Sequence, residues 1–128
     1  PLVTFWCASP KRLRAELDRA SAVLAVAGNR PRRFRAPAGI KHLGLATLLE
    51  ARGLDCIGWT IRSGDCFARN PRRVATHVLS RLTPGAILLF HEGESVRPAV
   101  RVQAIALLLA GLSARNYRSV VPERAQLT

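Results

Sequence analysis

Methionine is absent from this 128-residue sequence. Reading frames begin with Met and this chain begins with Pro1, so it reads as a piece of a longer protein. Acidic residues are scarce, eight against twenty basic ones, and aromatic residues are only 5%. Cysteine occurs three times, at Cys7, Cys56 and Cys66. That odd set contains no C-x-x-C pair, so it carries no zinc-ribbon signature and assigns no disulfide. Long hydrophobic runs are also missing. The apolar run from Ala104 to Leu109 falls far short of the ~20 residues of a membrane span. No charged stretch leads into an apolar one near the start, so no secretory signal is expected.

What is present is ordinary for a folded domain. Hydrophobic residues make up 48% and charged residues 22%, which excludes disorder as the main state. Neither repeats nor low-complexity segments interrupt the chain, and residues 1–128 are expected to form one domain. The net charge of +12 invites a polyanionic partner. Eighteen of the twenty basic residues are arginine, however, and they are scattered. Their densest groups, Arg30 to Arg35 and Arg69 to Arg73, sit in no nucleic-acid motif. A compositional bias toward arginine on solvated faces is the preferred explanation, and no nucleic-acid partner is expected.

The hydrophobic pattern alternates between helix and strand. Ser9-Pro10 reads as an N-cap followed by proline at the first helical position. Leu13, Leu17, Ala20 and Leu24 recur at helical spacing after it, up to Gly28. Arg33 to Arg35 reads as a short strand, His42 to Arg52 as a helix and Asp55 to Ile61 as a buried strand containing a buried Cys56. Asn70-Pro71 opens a helix whose apolar face is Val74, Val78, Leu79 and Leu82. Ala86 to Phe90 reads as a strand covered on both faces. A helix from about Val96 to Ala114 and a last strand from Tyr117 to Val121 complete the order. Strands joined by helical crossovers imply a parallel sheet with flanking helices, as an open sheet or part of a barrel. In either, ligand sites lie at the C-terminal strand ends.

Those ends carry the functional argument. The first delivers Arg35, Pro37 and Gly39, the second Arg62, Asp65 and Cys66, and the third His91 and Glu92. A carboxylate beside an imidazole fixes its tautomer and favours its protonated form. A protonated His acts as a general acid toward a leaving group, and a guanidinium holds a further carboxylate. The plain alternatives are a His capping backbone groups, a turn Asp and a Pro/Gly loop. Three such residues at successive strand ends outweigh those alternatives. His42 and His77 are read as surface residues.

These residues carry a resemblance to the C-terminal half of the polysaccharide deacetylases, the NodB-homology family. Arg35, Pro37 and Gly39 match its Arg-x-Pro-x-Gly loop. Trp59 and Asp65 match its strand Trp and following Asp, and Leu89 and His91 match its Leu-x-His. The order and the intervals of 30 and 26 residues between Arg35, Asp65 and His91 also agree. The resemblance spans about Pro1 to Val121. It implies a partial, truncated and distorted (β/α) barrel. It also implies a hydrolase that removes N- or O-linked acetyl groups from carbohydrate with the help of a divalent metal, zinc foremost. Carried over, His91 is the general acid, Asp65 orients it, and Arg35 holds the catalytic-base Asp. Leu89 lines the acetyl pocket, with Pro37, Gly39, Trp59 and Cys66 around the substrate. Most relatives act on envelope or extracellular polymers, so that compartment is the expectation.

The sequence also departs from the family. The first motif, with its paired Asp, and the second, His-x-x-x-His, are absent, so no metal ligands are expected in this chain. Pro1-Leu2 resembles the position just after the second metal His. Cys66 stands where Trp is common, Ala38 where an aromatic is usual, and Glu92 where Asp is common. Two alternatives therefore stand beside the deacetylase: an inactive relative that holds a glycan or polyanion, and a nucleic-acid binder driven by the arginines.

Overall fold

The computed structural model of the chain describes residues 7–40, 42–93 and 96–123. The Pro1-Leu2 match lies outside them. The elements in chain order are α1 (Pro10–Val26), β1 (Arg33–Phe34), a 3-10 turn (Pro37–Gly39), α2 (Leu45–Glu50), β2 (Asp55–Cys56), β3 (Ile61–Arg62), a second 3-10 turn (Asp65–Phe67), α3 (Pro71–Leu79), β4 (Leu88–Leu89) and α4 (Pro98–Ser113). Helices alternate with parallel strands, the α/β class expected from the pattern. Two compact units divide the chain, Pro1–Gly58 and Trp59–Thr128.

In the first unit, the Ser9 side chain accepts a hydrogen bond from the Arg12 amide, and Pro10 occupies the first turn of α1. Leu13 and Leu17 face inward and pack with Ala8, Ala36, Leu45, Leu48 and Leu49, with Phe34 and Leu54 at the margin. Ala20 and Leu24, expected on the same face, are exposed. Both buried positions of α1 lie in its first half. Strands β1 and β2 pair in parallel, Arg33 with Asp55 and Phe34 with Cys56. Arg52 ties α2 back to α1 through Asp18, at 2.6 Å. Leu13 is 1% exposed at the centre of this cluster. Leu13→Ala is expected to lower the unfolding free energy by about 3 kcal/mol, from lost transfer energy and the cavity left behind. Urea denaturation of the two chains checks it.

In the second unit, β3 and β4 pair in parallel, Ile61 with Leu88 and Arg62 with Leu89. Asn70 caps α3 by accepting from the Arg72 and Arg73 amides, with Pro71 at the first position. Ile61, Val78, Leu108 and Leu112 form the core, with Leu79, Leu82, Ala86, Leu88, Phe90 and Tyr117 packed against it. Helix α4 matches its expected span to within two residues at each end.

Several expectations are corrected. The segment from Asp55 to Ile61 is two strands, because the amides change partner along it: Ile57 donates to Phe34 and Thr60 to Ile87. Cys56 is exposed at the end of β2, where alternation turns its side chain outward. The helix expected from His42 starts at Leu45, after a turn at residues 43–44. Within the 86–90 run the strand is limited to Leu88–Leu89, and it is half-buried. No strand forms at 117–121 among the described residues. Tyr117 packs on the core instead, and Val120 and Val121 are exposed.

Candidate active site

The pairing of β3 with β4 builds the site. Beyond the paired residues, the Ser63 amide donates to the Leu89 carbonyl at 3.0 Å, which keeps the two strand ends in step. The chain after β3 then turns at Gly64, whose φ of 72° suits glycine, into the 3-10 turn that begins with Asp65. Two residues past Leu89 the other strand delivers His91. Residues 26 apart in sequence thereby become hydrogen-bonded neighbours.

Asp65 is 1% exposed and holds His91 twice. The His91 amide donates to Oδ2 at 2.8 Å, and His91 Nδ1–H donates to Oδ1 at 2.8 Å. Ser63, 2% exposed, donates its hydroxyl to Oδ1 at 2.7 Å. Burial pushes the Asp65 carboxyl up. The amide and ring of His91, the Ser63 hydroxyl and the His91 charge together outweigh burial and hold it below its ordinary value. The carboxylate is therefore ionised at neutral pH and acts as an acceptor. This fixes the His91 tautomer with the proton on Nδ1 and leaves Nε2 as the nitrogen for a substrate. The His91 side chain is 40% exposed, so the ring is anchored on one edge and reachable on the other.

Nothing in the sequence singles out Ser63. A hydroxyl two residues before an Asp has no distinctive pattern, and its burial follows from the strand pairing alone. Ser63→Ala is expected to cost about 1.5 kcal/mol, the value of a hydrogen bond to a charged acceptor. Thermal denaturation checks it, and Ser63→Thr should recover part of the loss.

The other expected site residues fall as follows. Cys66 is half-buried next to Asp65, and burial followed by the Asp65 charge pushes its thiol up. Leu89 is half-buried on β4, opposite Arg62. Trp59 is half-buried, with the Arg62 guanidinium 5.0 Å from its ring centre. Glu92 is exposed. Arg35, Pro37 and Gly39 lie in the first unit. There Arg35 Nε donates to the Ile57 carbonyl at 3.4 Å and Nη2 to the Gly58 carbonyl at 3.3 Å. Ala38 between Pro37 and Gly39 adopts φ 51°, an unusual conformation for a residue with a Cβ, and Gly39 follows at φ 72°. His77 is exposed, as expected, yet is not idle. Arg81 donates to its Nδ1 at 3.1 Å, so Nε2–H donates to the Arg62 carbonyl at 3.1 Å and ties α3 to β3.

A search with models of protein families finds none that matches this chain. A chitooligosaccharide deacetylase of Bradyrhizobium sp. (strain ANU 289) is 27% identical over a 97-position alignment that covers 68% of this chain and 44% of that protein. A family 4 carbohydrate esterase from Streptomyces lividans, solved in complex with acetate, superposes with a TM-score of 0.81 at 24% identity. That match covers 96% of this chain and 61% of the esterase. The chain is a relative of the NodB-type polysaccharide deacetylases. A family 4 pseudoenzyme from Bacillus anthracis shares the fold at a TM-score of 0.76 and 21% identity, over 88% of this chain and 38% of that one. This deacetylase relative thus spans less than half the length of the curated protein it matches. What it shares with the esterase is part of that distorted (β/α) barrel.

The resemblance implies a divalent metal held by an Asp and two His. Among the described residues, the one cluster of His, Cys, Asp and Glu suited to a cation is Asp65, Cys66 and His91, with ligand atoms within 4.8 Å of one another. It does not fit that metal. It offers one imidazole instead of two, and that imidazole and the carboxylate already hold each other as the acid pair. No helix among the described residues is long and apolar enough to cross a membrane.

Proposed function

We propose that the protein is a carbohydrate deacetylase acting on N- or O-linked acetyl groups of a sugar polymer or glycoconjugate, and that this chain supplies the general-acid half of its site. The observation that carries the reading is the buried Asp65 carboxylate gripping both the amide and Nδ1 of a half-exposed His91. In the imidazolium form, one ring proton stays on Nδ1 toward Asp65. The other leaves from Nε2 to the departing amine or alkoxide, so the sugar is released as a neutral group. Leu89 lines the acetyl pocket, and Cys66 forms a smaller, softer wall there than an indole would. Trp59 borders the substrate. A divalent metal, zinc foremost, polarises the acetyl carbonyl when bound in such enzymes. Its ligands belong to the two motifs that have no counterpart here. An envelope or extracytoplasmic polymer is the proposed setting.

The test is release of acetate by the intact protein from oligomers of N-acetylglucosamine and from O-acetylated sugars, with and without added divalent metal. Metal-dependent acetate release is expected. Absence of acetate from every acetylated sugar overturns hydrolysis. The net charge of +12 favours a second reading, an inactive relative that retains an anionic glycan. Retention on an immobilised glycan that weakens with salt, together with no acetate, identifies it.

A further inference from the structure

We propose that the loop after β3 continues past Cys66 into a subsite for an anionic sugar, so that the acetylated polymer of the deacetylase reading, on which this rests, is an acidic glycan. Phe67 is the platform of that subsite, and Arg69, Arg72 and Arg73 are its charge contacts. A 3-10 turn has three residues per turn, so side chains two apart leave it on different sides. The Ala68 amide closes this one on the Asp65 carbonyl at 3.2 Å. The turn that buries Asp65 to 1% exposure thereby leaves Phe67 92% exposed. A single exposed ring on a surface needs no explanation in itself. This ring stands two residues from the carboxylate that anchors His91, in the same turn. The face of a phenyl ring is negative, so it attracts the polarised C–H face of a pyranose while the hydroxyls of the sugar stay in water.

The charge beside Phe67 has one sign. Arg69, Arg72 and Arg73 are exposed, and their side chains hold no hydrogen bond or ion pair with another described residue. The amides of Arg72 and Arg73 are used on Asn70, but the guanidinium groups face solvent. The first turn of α3 contains no acidic residue. Cations there oppose the helix dipole, so helix stability does not account for the two arginines. Against the three cations, the described part of the loop after β4 sets the exposed carboxylate of Glu92. Asp65 is buried and spent on His91, so the rim stays positive. Loops that follow parallel strands share one edge, which puts this basic segment on the edge that carries His91. A guanidinium meets a carboxylate or a phosphate with paired donors. A general bias toward arginine scatters cations, and does not account for three of them beside an exposed ring at the edge of the site. A uronate and a phosphate present the same chemistry to these groups, and the assay separates them.

The intact protein is assayed for acetate release from three oligomers of matched length: N-acetylglucosamine alone, N-acetylglucosamine alternating with glucuronate, and N-acetylglucosamine joined through phosphate. One acidic oligomer should exceed the neutral one in kcat/KM by about 10-fold at low salt, the scale of three exposed charge contacts, and should lose that advantage in concentrated salt. The favoured oligomer names the anionic group. Arg69→Gln, Arg72→Gln and Arg73→Gln together should erase the advantage through KM, with kcat held. Arg118→Gln, beyond the end of α4, should leave it unchanged. Phe67→Ala should raise KM for all three oligomers by about 5-fold, about 1 kcal/mol of affinity, and Phe67→Tyr should restore it. Equal kcat/KM for neutral and acidic oligomers, or an advantage that survives the triple substitution, overturns the subsite. If no oligomer yields acetate, the deacetylase reading fails and binding decides the subsite by itself. The 128-residue chain should then still shift its amide resonances at 66–73 on addition of an acidic oligomer. Absence of those shifts, or tighter binding of a DNA oligonucleotide of equal charge, overturns it.

Discussion

Asp65→Ala is expected to lower the unfolding free energy of the chain by about 4 kcal/mol, the scale of breaking a buried charged pair from one side. The reason is that one carboxylate satisfies three donors: the His91 amide, the His91 ring and the Ser63 hydroxyl. Alanine leaves all three facing a void. Asp65→Asn keeps the shape but presents an NH2 to donors, and should cost about 2 kcal/mol. The pH dependence has a definite sign. The folded Asp65 titrates below its ordinary 3.8, so its contribution is complete above that value and is lost as pH falls through the lower, folded one. Urea denaturation from neutral pH down past 3.8 should therefore show the gap between wild type and Asp65→Asn narrowing in acid. A gap that widens in acid contradicts the assignment.

His91→Ala is expected to reduce acetate release by the intact protein by about 100-fold or more, the usual range for a lost general acid. If His91 donates a proton in the rate-limiting step, the alkaline limb of the pH–rate profile should disappear in the variant, while KM changes little. A more reactive leaving group, such as an aryl acetate, should recover much of the rate because it departs without protonation. Full activity in His91→Ala removes the catalytic assignment. A loss equal for aryl and sugar acetates points to damaged structure rather than a missing acid. Asp65→Asn should fall between wild type and His91→Ala, since it frees the ring tautomer without removing the ring.

How much of this could be read beforehand differs by level. Local signals were clear where one residue decides the outcome. Ser9-Pro10 and Asn70-Pro71 open helices because a side-chain acceptor and a fixed φ act within a few residues. The Asp65–His91 pair was legible because polar residues at the ends of parallel strands share one edge. Tertiary partners decided the rest. Nothing local in 55–61 says that its amides divide between Phe34 and Ile87. Tyr117 to Val121 has the composition of a strand but meets no pairing edge among the described residues. The apolar neighbourhood of Cys56 suggests burial, but strand alternation sets its face outward. Ser63 owes its role to the pairing register.

That register has a spectroscopic consequence. The amide and Nδ1 protons of His91 are both held by one carboxylate, at 2.8 Å each. Two nitrogen-bound protons of a single residue should therefore resonate far downfield and exchange slowly with solvent. They should vanish together whenever the ends of β3 and β4 slip apart. Counting the molecules whose site is assembled then needs only a proton–nitrogen correlation spectrum, with no substrate, inhibitor or label attached to the protein.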